Sequence, residues 1–171
     1  MGKITNYLVE NLKYIIILIF IIILRIYIFP LYEVDGASMD YTLAHGEKII
    51  GTSFFEVDRF DIVIMDVPQD NKLYVKRVVG LPGDKIEYKD DSLYVNNVYI
   101  EEPYLDEKKT EWNQFTEDLL IEEVPEGHYY VLGDNRKASV DSRNIGFIPA
   151  KDILSELMLV YWPLDEIKIL N

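Results

Sequence analysis

Apolar positions fall into one long N-terminal block followed by short runs. From Tyr14 to Leu24 every residue is apolar or aromatic (YIIILIFIIIL). Arg25 interrupts, and IYIFPLY continues to Tyr32, so the span 14–32 holds 19 residues. That is close to the ~20 a helix needs to cross a bilayer. Arg25 stands near the far end, where a long cationic stem can reach the headgroups. Tyr27, Phe29 and Tyr32 suit the interfacial aromatic belt. Lys3 and Lys13 flank the near side, and Glu33, Asp35 and Asp40 follow the block. This bias predicts a cytoplasmic N-terminus with the rest of the chain outside. A cleaved leader would need a small-x-small site soon after its apolar core. Bulky residues follow Leu24, and the first small cluster, Gly36-Ala37-Ser38, is distant. The block is therefore read as an uncleaved anchor.

Beyond it the apolar runs have the length and β-branched content of strands. Such runs are 47–55 (EKIIGTSFF), 60–67 (FDIVIMDV), 72–80 (KLYVKRVVG) and 128–133 (HYYVLG). Residues 85–91 and 92–100 (SLYV-NN-VYI) read as a meander, because Asn96-Asn97 tolerates the positive φ of a tight hairpin. Residues 101–127 are polar and acidic, and predict a surface excursion with a short helical turn. Residues 155–170 predict one or two strands broken near Pro163. The expected fold class is mainly β: 1–13 a cytoplasmic N-terminus, 14–32 a transmembrane anchor, 33–171 one antiparallel β domain outside the membrane.

Composition removes several functions. The net charge of -13 leaves no broad basic surface for phosphates, so no nucleic-acid partner is expected. The chain has no cysteine, hence no disulfide or thiolate metal site. Two histidines, His45 and His128, are too few for a histidine cluster, and neither a metal nor another cofactor is expected.

Three stretches can carry chemistry. In VDGASMDYTL (34–43), Ser38 sits in a small-residue turn whose backbone N–H groups could face an oxyanion. In the strand around LYVKRVVG, alternation sends either Lys76 or Arg77 toward apolar surroundings. A lysine held there loses its proton more readily and becomes a base. In GDNRKASVDSRNIG (133–146), alternating charged and hydroxyl residues suit a rigid hydrogen-bonded loop that positions something else. Taken singly, each also fits a structural role: a plain loop, an edge-strand lysine, a solvated turn.

Together the anchor, SM at 38–39 with Thr42 and Leu43, YVKRVVGLPGD at 74–84 and GDNRxxSxDSRxxG at 133–146 resemble the bacterial type I signal peptidases, in the short Gram-positive-like form. The resemblance implies membrane-anchored serine endopeptidases that remove signal peptides from exported preproteins after small-x-small sites. It also implies the signal-peptidase β fold, with the active site near the lipid bilayer and work downstream of the export channel. Residue by residue, it makes Ser38 the nucleophile and Lys76 the general base. Ser139 becomes the lysine-orienting hydroxyl, and Asp134, Asp141 and Arg143 the supporting ion-paired loop. The oxyanion donors are the Ser38 N–H and, where relatives carry a serine, a backbone N–H at Gly36. Val34, Met39, Leu43, Tyr74, Ile49 and Val75 fall where the family lines its pockets for small side chains. Two positions depart from the pattern. Tyr41 stands where the family has proline, and Asp40, expected to face solvent or headgroups, adds a carboxylate near Ser38. Three other readings remain open: a non-cleaving peptide-binding or pilus-assembly relative, a self-cleaving Ser/Lys protein of the repressor type, and a Ser-His-Asp hydrolase using His45 or His128.

Overall fold

The computed structural model describes residues 11–170, so the expected cytoplasmic segment 1–13 lies almost wholly outside the described residues. Helix α1 (Leu12–Tyr27) is 16 residues long and buries none of them. It does not run to Tyr32. Ile28 N–H and Phe29 N–H both return to Leu24 O, and Pro30 disfavours helical backbone at the residue before it. Leu31 then opens β1 (Leu31–Glu33). Among the described residues no helix is long and apolar enough to cross a membrane.

The rest is antiparallel β. β2 (Lys48–Thr52), β3 (Ile62–Val67), β4 (Lys72–Gly80), β9 (His128–Leu132), β10 (Ile148–Pro149), β11 (Ile153–Trp162) and β12 (Lys168–Ile169) join β1 in an eight-stranded sheet. Its order is β1-β2-β11-β3-β4-β9-β10, with β12 on β11. A second sheet, β7-β6-β5-β8, is built from β5 (Ile86–Lys89), β6 (Ser92–Val95), β7 (Val98–Ile100) and β8 (Leu119–Ile121). Asn96 (φ 52) and Asn97 (φ 66) make the expected tight turn. Asp90 (φ 48) and Asp91 (φ 61) make another, which ends β5 two residues short of the expected run.

β4 coincides with the run read from the sequence, but it is not an edge strand. It lies between β3 and β9, with Val63 opposite Lys76 and Leu132 opposite Arg77. One apolar cluster gathers Val34, Met39, Leu43, Ile49, Ile62, Ile64, Leu157 and Val160; another gathers Val63, Met65, Val67, Val78, Val131, Ile148 and Ile153. Burial of each such side chain is worth about 1.5–3 kcal/mol. A third cluster, including Val79, Ile86, Tyr88 and Tyr130, joins the two sheets. They meet tightly at Gly80, where a Cβ would come within 2.9 Å of both Tyr130 and Val124.

The excursion 101–127 is more than surface. After a short turn (Pro103–Leu105) and α2 (Asp106–Lys109) it returns as β8, which its weak periodicity did not reveal. It also sends Glu102 into the interior. There the carboxylate meets Arg136 Nη2 at 2.6 Å, with both side chains fully buried. Tyr88 and Tyr104 donate their hydroxyls to Glu102 at 2.6 and 2.8 Å. Arg136 also donates to Tyr88, Thr116 and the Gly133 carbonyl. A buried ion pair persists only when its remaining donors and acceptors are satisfied in this way.

Candidate active site

The chain leaves β1 and turns at Gly36 into a loop closed by Met39 O, which accepts from the Thr42 and Leu43 N–H groups. This loop holds Ser38, half-buried, against the middle of β4. Lys76 donates from Nζ to Ser38 Oγ at 2.8 Å and to Val75 O at 2.8 Å. Lys76 is 3% exposed. Burial pushes its ammonium down to about 8, although the carboxylates of Asp141 and Asp134 pull the other way. Desolvation therefore outweighs attraction, the balance needed for a lysine that can act as a base near neutral pH.

The neighbouring residue takes the opposite role. Arg77 reaches Asp134 with Nε at 2.8 Å and Nη2 at 2.7 Å, a two-pronged pair that fixes the carboxylate. Thr42 donates its hydroxyl to the same carboxylate at 2.5 Å. The Arg77 guanidinium lies 3.9 Å from the centre of the Tyr104 ring. Arg77 and Thr42 are supporting residues that the sequence reading left without a role. The only signal was two adjacent cations inside one apolar strand.

The loop 133–146 is cross-linked by its own hydrogen bonds. Asp141 caps α3 (Ser142–Ile145) and pairs with Arg143 through Nε and Nη2, each at 2.8 Å. The carboxylate also accepts from the Gly133 N–H at 3.0 Å and the Arg143 N–H at 3.2 Å. Burial alone would raise the Asp141 carboxyl, but these partners hold it below its ordinary value. Asn135 N–H donates to Ser38 O and its side chain to Ala37 O, which clips this loop onto the serine loop. A Cβ at Gly133 would collide with the Ser139 side chain and the Ser38 carbonyl, so only glycine permits this approach.

Three groups of expected site residues are engaged otherwise in this structure than the resemblance implies. Ser139 does not hold the lysine. Its buried Oγ makes no hydrogen bond to Lys76, which reaches Ser38 and Val75; the hydroxyl acts instead on the Asp141 carboxylate, which it helps to hold low. Gly36 does not offer a free N–H, since that group donates to His45 Nδ1 at 3.1 Å. Among the described residues the Ser38 N–H has no such partner. Leu43 and Ile49 line no pocket. Both are 0% exposed and pack behind Val34 and Met39 in the core. Asp40 is half-buried and forms no ion pair among the described residues.

The pocket residues that do line open space are Val34, Met39, Tyr74 and Val75. With Tyr32, Ile64, Ala138 and Val140 they border a cleft of about 480 Å³ between residues 32–39 and 72–76, and Ser38 and Lys76 are part of its lining. Tyr74 is fixed by its hydroxyl, which donates to Asp70 at 2.5 Å, and its ring faces Lys76 Nζ at 5.0 Å.

Sequence comparison matches residues 8–162 to the family described as signal peptidase, peptidase S26. A signal peptidase I from Bacillus licheniformis is 42% identical over 95% of this chain and 93% of its own. One from Streptococcus pneumoniae (strain ATCC BAA-255 / R6) is 36% identical over 98% of each. The crystal structure of a signal peptidase I from Enterococcus faecalis V583 superposes with a TM-score of 0.60 at 38% identity, covering 62% of this chain and all of that one.

Proposed function

Because this chain belongs to the signal peptidase family of serine peptidases, peptidase S26, we propose that it cleaves signal peptides from exported precursors with Ser38 as nucleophile and Lys76 as general base. The observation that carries this reading is the 2.8 Å contact from Lys76 Nζ to Ser38 Oγ, both side chains lining one open cleft. Neutral Lys76 takes the Ser38 Oγ proton as the oxygen attacks the scissile carbonyl. The Ser38 N–H stabilises the oxyanion that forms. The resulting ammonium returns the proton to the departing amine, leaving an ester on Ser38. Water then gives a proton to Lys76, attacks the ester and releases the acid, and Lys76 restores the Ser38 hydroxyl. At pH 8 a lysine near 8 is about half neutral, whereas an ordinary lysine is about 0.4% neutral.

The cleft suits an extended peptide whose small side chains enter beside Val34, Met39, Tyr74 and Val75. The apolar helix Leu12–Tyr27 serves in this reading as a single-pass anchor, with the N-terminus cytoplasmic and the β domain outside. Its support is a helix that is apolar on every side and buries none of its side chains in the domain, an arrangement suited to lipid. Anchoring would bring the cleft to the surface where precursors emerge and raise their effective concentration.

The test is cleavage of a precursor with an Ala-x-Ala site by the full-length, detergent-solubilised chain. Ser38→Ala and Lys76→Ala should each lower kcat by roughly a thousandfold or more. Undiminished cleavage by either variant would overturn the assignment.

A further inference from the structure

We propose that Tyr41, Trp112 and Lys137 form a docking surface for the substrate segment beyond the cut, favouring an apolar side chain accompanied by a carboxylate. This rests on the reading of Ser38 and Lys76 given above. The cleft is lined by residues 32–39 and 72–76 together with Ala138 and Val140, and both dyad residues are part of that lining. A peptide with its acyl half in the cleft must continue past Ser38. The protein chain past Ser38 leads within three residues to Tyr41, and Ala138, which borders the cleft, is followed back along the loop by Lys137.

A mixed aromatic and cationic cluster stands there. Phe115 is 1% exposed and forms its floor, with Tyr41 and Trp112 each 6.4 Å away between ring centres. Those two rings are open, 45% and 47% exposed. Aromatic faces with polar tips give large contact area at low entropic cost. Two lysines border them. Lys108 Nζ lies 3.9 Å from the centre of the Tyr41 ring and is paired with Glu111. Lys137 Nζ lies 5.6 Å from that of Trp112 and has no carboxylate partner among the described residues. In a chain of net charge -13, an uncompensated cation beside the cleft selects for a carboxylate.

Backbone strain supports the same surface. Tyr41 has φ 92, a left-handed conformation that is strained for a non-glycine residue. That conformation sets its ring between Phe115 and Lys108. Strain of this kind collects at ligand-contacting positions.

The experiment uses precursors with one shared cleavage site, in which a single Glu or Lys is walked through the first few positions after the cut. The wild-type chain should cleave the Glu series about threefold faster in kcat/KM at one or two positions, as expected for an exposed charge pair. The preference should fade in high salt. Lys137→Glu should invert it, and Trp112→Ala should remove any gain from an apolar residue placed nearby. The same Glu-to-Lys ratio in wild type and Lys137→Glu would overturn the docking surface alone. Failure of the folded wild-type chain to cleave any precursor would overturn the dyad reading and the surface with it.

Discussion

Asp134 gives both carboxylate oxygens to Arg77 and makes no ion pair with Lys76, the adjacent residue in the same strand. This division keeps the two cations distinct. Arg77 is neutralised and immobile, while Lys76 feels Asp134 only across space and stays low enough to lose its proton. A direct pair between Asp134 and Lys76 would hold the amine charged and remove the base.

The activity should therefore follow Lys76. Its depressed value predicts that kcat/KM rises from neutral pH and levels off above an apparent pKa near 8. A pH profile of precursor cleavage by the full-length chain checks this. A plateau already complete at pH 6 would mean that another group is the base.

Stability should depend on the same group. Lys76 has a lower value folded than unfolded, so below pH 8 its charge opposes folding, by about 3 kcal/mol. The penalty disappears as pH rises from about 8 toward 10.5, where the unfolded lysine also loses its proton. Lys76→Met should accordingly raise the unfolding midpoint at pH 7, with an advantage that shrinks by pH 10. Thermal melts at both pH values read the difference.

Breaking the buried pair should be severe. Glu102→Ala leaves Arg136 charged and unpaired, and should cost about 3–5 kcal/mol in urea unfolding. The double variant Glu102→Met with Arg136→Met should recover much of that loss, since no lone charge remains. A double variant no more stable than Glu102→Ala would assign the loss to the hydroxyl partners Tyr88 and Tyr104 instead.

Tyr41→Pro gives an unusual expectation. The family pattern has proline at this position, yet the backbone here has φ 92 and proline is fixed near -65°. Restoring the family residue should destabilise this chain by at least about 1 kcal/mol and slow cleavage, because the serine loop must rearrange. Unfolding and precursor cleavage measured together check it.

Much of the site could be read from the sequence because its chemistry is local. SM at 38–39, Lys76 within an apolar strand, and the Asp141–Arg143 pair two residues apart each show themselves in a short window. The β4 limits and the Asn96-Asn97 turn were legible for the same reason. What stayed hidden depends on distant contacts. Glu102 looks like one acid among many until Arg136, 34 residues on, is brought to it. His45 stood in no motif until the chain folded back to offer it the Gly36 N–H. Leu43 and Ile49 have the chemistry of pocket walls, and only packing decides that they stand one layer behind. The apolar block was visible, but its helix ends early because Pro30 and the pairing of Tyr32 with Ile49 commit its last residues to the sheet.

The second sheet is spliced between β4 and β9, which are direct neighbours in the first. Seen as a cassette, everything from Leu81 to Gly127 could be traded for the matching piece of a relative without cutting through the dyad. One guanidinium restricts that freedom. Arg136 belongs to the catalytic loop, whereas Tyr88, Glu102 and Thr116, which receive it, all belong to the cassette. A chimera that imports a shorter or differently charged insert must bring its own acceptor for Arg136 or change that residue too.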